Sequence, residues 1–181
     1  ESEMALTDQM ELNLNNIVSS KADLAHSELS RYSGYIREFA DYANWLYAHP
    51  ESFVGKPVLP PDAQNAGTFS MQRYLTSDKI SLDQIESELA LLGNLEQIWH
   101  PVISANSEMI TTIYVGTESG FLISYDLNAD LGVTEGSYES YFNYFRSSWY
   151  VSAKYAKDVF FTSMYPDSYG RGLTISCVSP F

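Results

Sequence analysis

Between Val18 and Leu46 the apolar residues fall at Val18, Ala22, Ala25, Leu29, Tyr32, Ile36, Phe39, Ala43 and Leu46, in steps that alternate four and three without a break. A helix puts such a series on one stripe, because its turns close every 3.6 residues or so. Lys21, Asp23, Glu28, Arg31, Arg37, Glu38 and Asp41 fill the other faces. His49-Pro50 ends the run, since the residue before a proline is pushed out of the helical region. The spacing predicts a rod of roughly 30 residues and about 45 Å. Its stripe can lie along the chain's own sheet or against a partner's helix, and the sequence leaves both open.

Gly55 to Phe69 carries Pro57, Pro60, Pro61, Asn65 and Gly67 and reads as loop. A second helix is expected from Ser81, a good N-cap, through Leu82, Ile85, Leu89 and Leu92, with Gly93 as its stop. Leu95 to Ile103 is apolar and reads as a short helix or an extended linker. From Met109 the pattern turns strand-like. Met109 to Val115 and Phe121 to Tyr125 flank the turn Thr117-Glu118-Ser119-Gly120 and predict an antiparallel hairpin.

Asp126 to Gly136 is a polar loop, and Ser140 to Ala156 is aromatic-rich and partly helical. Val159 to Thr162 and Leu173 to Val178 read as two further strands around the turn-prone stretch Pro166 to Gly172. The expected fold class is α+β, a long N-terminal helix packed on an antiparallel sheet. The expected division is residues 1–50 as the long helix, 51–105 as loop and helical connector, and 106–181 as the sheet subdomain.

At 181 residues with 45 % hydrophobic content the chain can close one core. Ten Lys and Arg against 23 Asp and Glu leave a formal net charge of -13. Such a balance argues against nucleic acid, which needs cations to displace counterions, and against anionic membrane surfaces. No run of about 18 apolar residues is present to span a bilayer. The single cysteine, Cys177, excludes an internal disulfide and a multi-cysteine zinc site. Glu1-Ser2-Glu3 is neither an initiator nor a signal peptide, so the chain reads as a piece of a longer one.

His26, His49 and His100 sit in separate elements without metal-ligand spacing. There is no nucleophile elbow, phosphate-cradling glycine loop or dinucleotide fingerprint, so no catalytic residue and no cofactor is expected. The most unusual segment is Tyr141-Phe142-Asn143-Tyr144-Phe145-Arg146-Ser147-Ser148-Trp149-Tyr150, six aromatics and one Arg in ten residues. A guanidinium beside such rings can grip a carboxylate, and the rings can face an ammonium. The plainer reading is that the aromatics are core and Arg146 snorkels or pairs with a carboxylate.

Ile113 to Tyr125 (IYVGTESGFLISY) resembles the first hairpin of the Cache family of extracellular sensor domains. Arg146 to Ala153 (RSSWYVSA) is similar to that family's helix, Tyr165-Pro166-Asp167 to its Tyr-x-Asp, and Leu173 to Pro180 (LTISCVSP) to its following strand. The resemblance implies a PAS-like sheet, of the double-Cache type, hung on a long helix. It implies an extracellular or periplasmic module of a bacterial or archaeal transmembrane receptor, with the membrane met only through segments outside these residues.

Such modules bind a small organic ligand, a carboxylate or amino acid among them. They signal to histidine kinases, chemotaxis receptors or cyclic-dinucleotide enzymes. Carried over by position, Arg146 would take a ligand carboxylate and Trp149 and Tyr150 would wall the pocket, with Tyr144 upstream and Tyr165 and Asp167 opposite. Asp167 would accept an amine or cap its turn. The amino-acid binders resemble Arg-x-Trp, whereas here the spacing is Arg146-x-x-Trp149. The family's last sheet strand is not among these residues, which would leave a sheet edge open. The remaining expectations are a homodimer through the N-terminal helix, a ligandless dimerisation or partner-binding module as the alternative, and, third, a sugar-binding or sugar-cleaving domain.

Overall fold

A computed structural model describes residues 2–61, 70–126, 141–167 and 170–181, with side chains from Thr7 onward. The predicted rod is present and longer than expected. Helix α1 runs Ser2–Ala48, 47 residues and thus about 70 Å. His49 leaves the helix, and Pro50–Ser52 closes it in one 3-10 turn. The two uses left open for the apolar stripe divide along its length. Phe39, Ala43 and Leu46 are buried in the core, Tyr32 and Ile36 are half-buried, and Val18, Ala22 and Ala25 are exposed.

Strands β1 (Met71–Leu75), β2 (Ile113–Gly116) and β3 (Phe121–Tyr125) form one antiparallel sheet in the order β1-β3-β2. The hairpin falls where the sequence placed it, although residues 109–112 stay outside the strand. Gly120 takes φ +90 in its turn, which the missing Cβ permits. Strand β1 was not foreseen.

Helices α2 (Leu82–Leu92) and α3 (Glu96–Ala105) follow β1, and Ser81 holds the N-cap position without a side-chain hydrogen bond. Gly93 does not stop the chain. It is right-handed helical and continues through a 3-10 turn, Gly93–Leu95, into α3. Glycine is needed there for closeness, because a Cβ would lie 2.5 Å from the Lys56 carbonyl oxygen.

Beyond residue 140 the structure is short elements. A 3-10 turn, Tyr144–Arg146, leads into α4 (Ser148–Ala153). The expected C-terminal hairpin is split into two small ladders, β4 (Phe160–Phe161) with β7 (Cys177–Val178) and β5 (Tyr165–Pro166) with β6 (Leu173–Thr174). The predicted loop at residues 127–136 lies outside the described residues, as does most of the 55–69 loop.

The fold is α+β, as expected, with small separate sheets in place of one continuous sheet. Alternation along the strands gives the three-stranded sheet two faces. Ile113, Val115, Phe121, Ile123 and Tyr125 meet α1, α2 and α3 in the main core. Tyr74 and Leu122 meet Tyr144, Trp149 and Tyr150 in a second, aromatic cluster, with Tyr114 packed against it. Among the described residues no helix is long and apolar enough to cross a membrane.

Candidate functional site

Because β3 is the central strand, the outer edge of β2 is paired with no strand among the described residues. A cavity of about 1160 Å³ runs along that edge, and every residue from Met109 to Glu118 borders it. Its other walls are the C-terminal half of α1, the face of α4, and the segment from Thr174 to Phe181. Rings recur along the walls: Tyr32, Tyr35, Phe39 and Tyr47 from α1, Trp99 from α3, and Trp149 and Tyr150 from α4. Tyr114 crosses the gap from β2. Its hydroxyl lies 2.8 Å from Ser176 Oγ, which also meets the Tyr165 hydroxyl at 2.5 Å. Burial first, and then Tyr165 beside it, push the Tyr114 hydroxyl to a higher pKa.

Of the six residues singled out from the sequence, Trp149, Tyr150, Tyr165 and Asp167 border the cavity. Tyr144 and Arg146 do not. Tyr144 is fully buried and acts as a bolt for the β2–β3 turn. Its hydroxyl donates toward the carbonyls of Thr117 (2.5 Å) and Phe121 (2.8 Å) and accepts from the Thr117 N–H (3.1 Å). Burial lifts it to about 12. Its ring stacks on Trp149 with centroids 5.8 Å apart, and only a glycine at Gly116 lets the two rings come so near the strand.

Arg146 ends the 3-10 turn and is exposed, pointing no charge into the lining. The short turn before α4 puts the buried positions at Tyr144, Trp149 and Tyr150, which sends the intervening Arg146 to the surface.

The guanidinium that is held inside is Arg171, which the sequence had hidden in a glycine turn. It grips Asp167 with Nε and Nη2, both at 2.9 Å, and Asp126 with Nη1 at 3.0 Å. Thr112 donates its hydroxyl to Asp126. Burial works against the Arg171 charge, and the two carboxylates outweigh it and raise its pKa. This clamp ties the β5–β6 hairpin to the end of β3. Asp167 thus has a structural cation as partner, in addition to closing its turn by accepting from Gly170 and Arg171.

Two other carboxylates border the cavity. Glu118 pairs with Lys154 at 2.9 Å, and Lys154 also sits 5.4 Å above the Tyr150 ring. Glu88 accepts from the hydroxyls of Tyr47 and Ser119, both at 2.5 Å. Burial and this carboxylate raise the Tyr47 pKa strongly. One buried polar atom of the lining, Trp99 Nε1, has no hydrogen-bond partner among the described residues. Burial raises the Tyr150 hydroxyl, helped by the nearby Glu118 charge. Glu88, Trp99 and the ring face of α1 carried no signal in the sequence beyond ordinary helical spacing.

His100 meets the Tyr125 hydroxyl at 2.6 Å, and Cys177 is half-buried with its thiol raised by burial. Among the described residues no group of three His, Cys, Asp or Glu could hold a metal. No family model matches the chain, and no curated protein or solved structure was found similar to it.

Proposed function

We propose that the chain is the ligand-binding sensor domain of a transmembrane signalling receptor, facing the outside or the periplasm and feeding a histidine kinase, chemoreceptor or cyclic-dinucleotide output. The carrying observation is that one cavity is walled by α1 on one side and by β2 and α4 on the other. A ligand touching both walls favours conformers in which α1 lies closer to the sheet. Binding thereby biases the position of a helix about 70 Å long. The resemblance of the hairpin, helix and Tyr-x-Asp segments to Cache sensors supports the same reading.

A thermal-melt screen against amino acids, carboxylates, amines and sugars tests it. A ligand at about 100 times its Kd adds about 2.7 kcal/mol, a shift of several degrees. Trp149→Ala should abolish the shift of any hit. Arg146→Ala should leave it unchanged, since Arg146 is outside the lining. A shift lost in Arg146→Ala and kept in Trp149→Ala would place the ligand elsewhere.

One observation favours a second reading, a dimerisation module. Met10, Leu14, Ile17 and Leu24 are all more than half exposed and spaced four, three and seven apart, the register of a two-helix seam. Light scattering on the intact chain would separate the two. A dimer whose melt no ligand moves favours the second.

A further inference from the structure

We infer that the cavity takes an organic cation, whose ammonium sits at the Glu88 end among aromatic rings. It rests on the reading of the cavity as a ligand site and names the ligand's chemistry.

Charge comes first. Among the described residues bordering the cavity, Glu88, Glu118 and Asp167 are acidic and Lys154 is the basic one. Lys154 is already committed to Glu118. Arg171, just behind the lining, answers two carboxylates at once. Arg146 is outside. A ligand carboxylate entering this space finds no uncommitted guanidinium or ammonium among the described residues, and it meets like charge.

Glu88 is the opposite case. It is half-buried on α2, and no Lys or Arg among the described residues is paired with it. The donors it has, Tyr47 and Ser119, are neutral hydroxyls. Its charge is oriented but not neutralised. Around it the surfaces suit a cation: the Tyr47 ring stacks against Phe181 with centroids 6.0 Å apart, and both border the cavity. Aromatic faces attract ammonium groups through the ring quadrupole, the more so where water is thin.

Acetylcholine and its uncharged carbon isostere, dimethylbutyl acetate, are the test pair, because they share shape and acceptor and differ in charge. Melts of the whole chain are expected to rise with acetylcholine and not with the isostere. In Glu88→Gln, which keeps an acceptor for one hydroxyl and turns an N–H to the other, acetylcholine should bind about tenfold more weakly or worse. Equal shifts from both probes overturn the cation inference and leave the cavity a ligand site. So do shifts from succinate, butyrate or phenylalanine with none from acetylcholine, choline or agmatine. Silence across cations, anions, amino acids and sugars overturns the ligand-site reading and this inference with it.

Discussion

Gly116 and Tyr144 show how a single side chain decides the shape of the site. A Cβ at Gly116 would stand 2.8 Å from the Tyr144 ring and 3.0 Å from Trp149, and both rings are held in the aromatic cluster. Gly116→Ala should therefore cost about 1–3 kcal/mol by overpacking, read as a lower denaturation midpoint. Tyr144→Phe keeps the ring and removes the bolt. It takes the hydroxyl donor away from the Thr117 and Phe121 carbonyls, while the Thr117 N–H keeps the Phe121 carbonyl as acceptor, and should cost about 1–2 kcal/mol at neutral pH.

The same residue predicts a pH effect. Folded Tyr144 is raised to about 12 from an ordinary 10.0, so folding favours its neutral form. Its contribution is whole below pH 10 and is lost as pH climbs through 12. Tyr125, also raised to about 12 by burial, acts in the same direction. Alkaline unfolding should set in above pH 10, and its pH slope should be shallower in Tyr144→Phe. An equal slope would mean that Tyr144 titrates as it does unfolded.

Among the elements, α1 carries the sharpest division. Leu46 is fully buried and Leu14 is 59 % exposed on the same helix. Leu46→Ala should cost about 2–5 kcal/mol by leaving a cavity, and Leu14→Ala should leave the melt of the folded domain within about 0.5 kcal/mol. The helix was legible because its stripe is unbroken over Val18 to Leu46. Where the sheet stops covering that stripe was not, because coverage depends on distant segments.

The hairpin was legible from β-branched residues and Gly120. Strand β1 was not, since Met-Gln-Arg-Tyr-Leu has no β-branched residue and becomes a strand by pairing with β3. Gly93 misled because a glycine after a helix usually turns the chain, and here it serves close approach to Lys56. In the site, Trp149 and Tyr150 were found through their unusual segment. Arg171 was missed because Gly-Arg-Gly looks like turn chemistry, and its partners lie 4 and 45 residues away. Removing it takes the guanidinium away from the buried Asp126 and the half-buried Asp167, so Arg171→Gln should destabilise the domain by about 3 kcal/mol.

At the scale of the whole molecule, the excess of 23 acidic over 10 basic residues sets a repulsion that the fold must hold against. Exposed pairs such as Arg37–Asp158 and Lys154–Glu118 offset little of it, because solvent screens them. The Arg171 clamp is better shielded, with Asp126 only 1 % exposed at its side chain. Added salt therefore weakens the surface repulsion while leaving the clamp mostly intact. Between low salt and about 0.15 M, where the screening length falls to about 8 Å, the melting temperature should rise by roughly a few degrees. A fall would mean that exposed ion pairs outweigh the net repulsion. Arg37→Ala, which breaks the contact tying α1 to the loop before β4, would then lower the melt at low salt and flatten its salt dependence. If repulsion dominates, the same substitution deepens the salt dependence, because it takes one more positive charge from a chain already at -13.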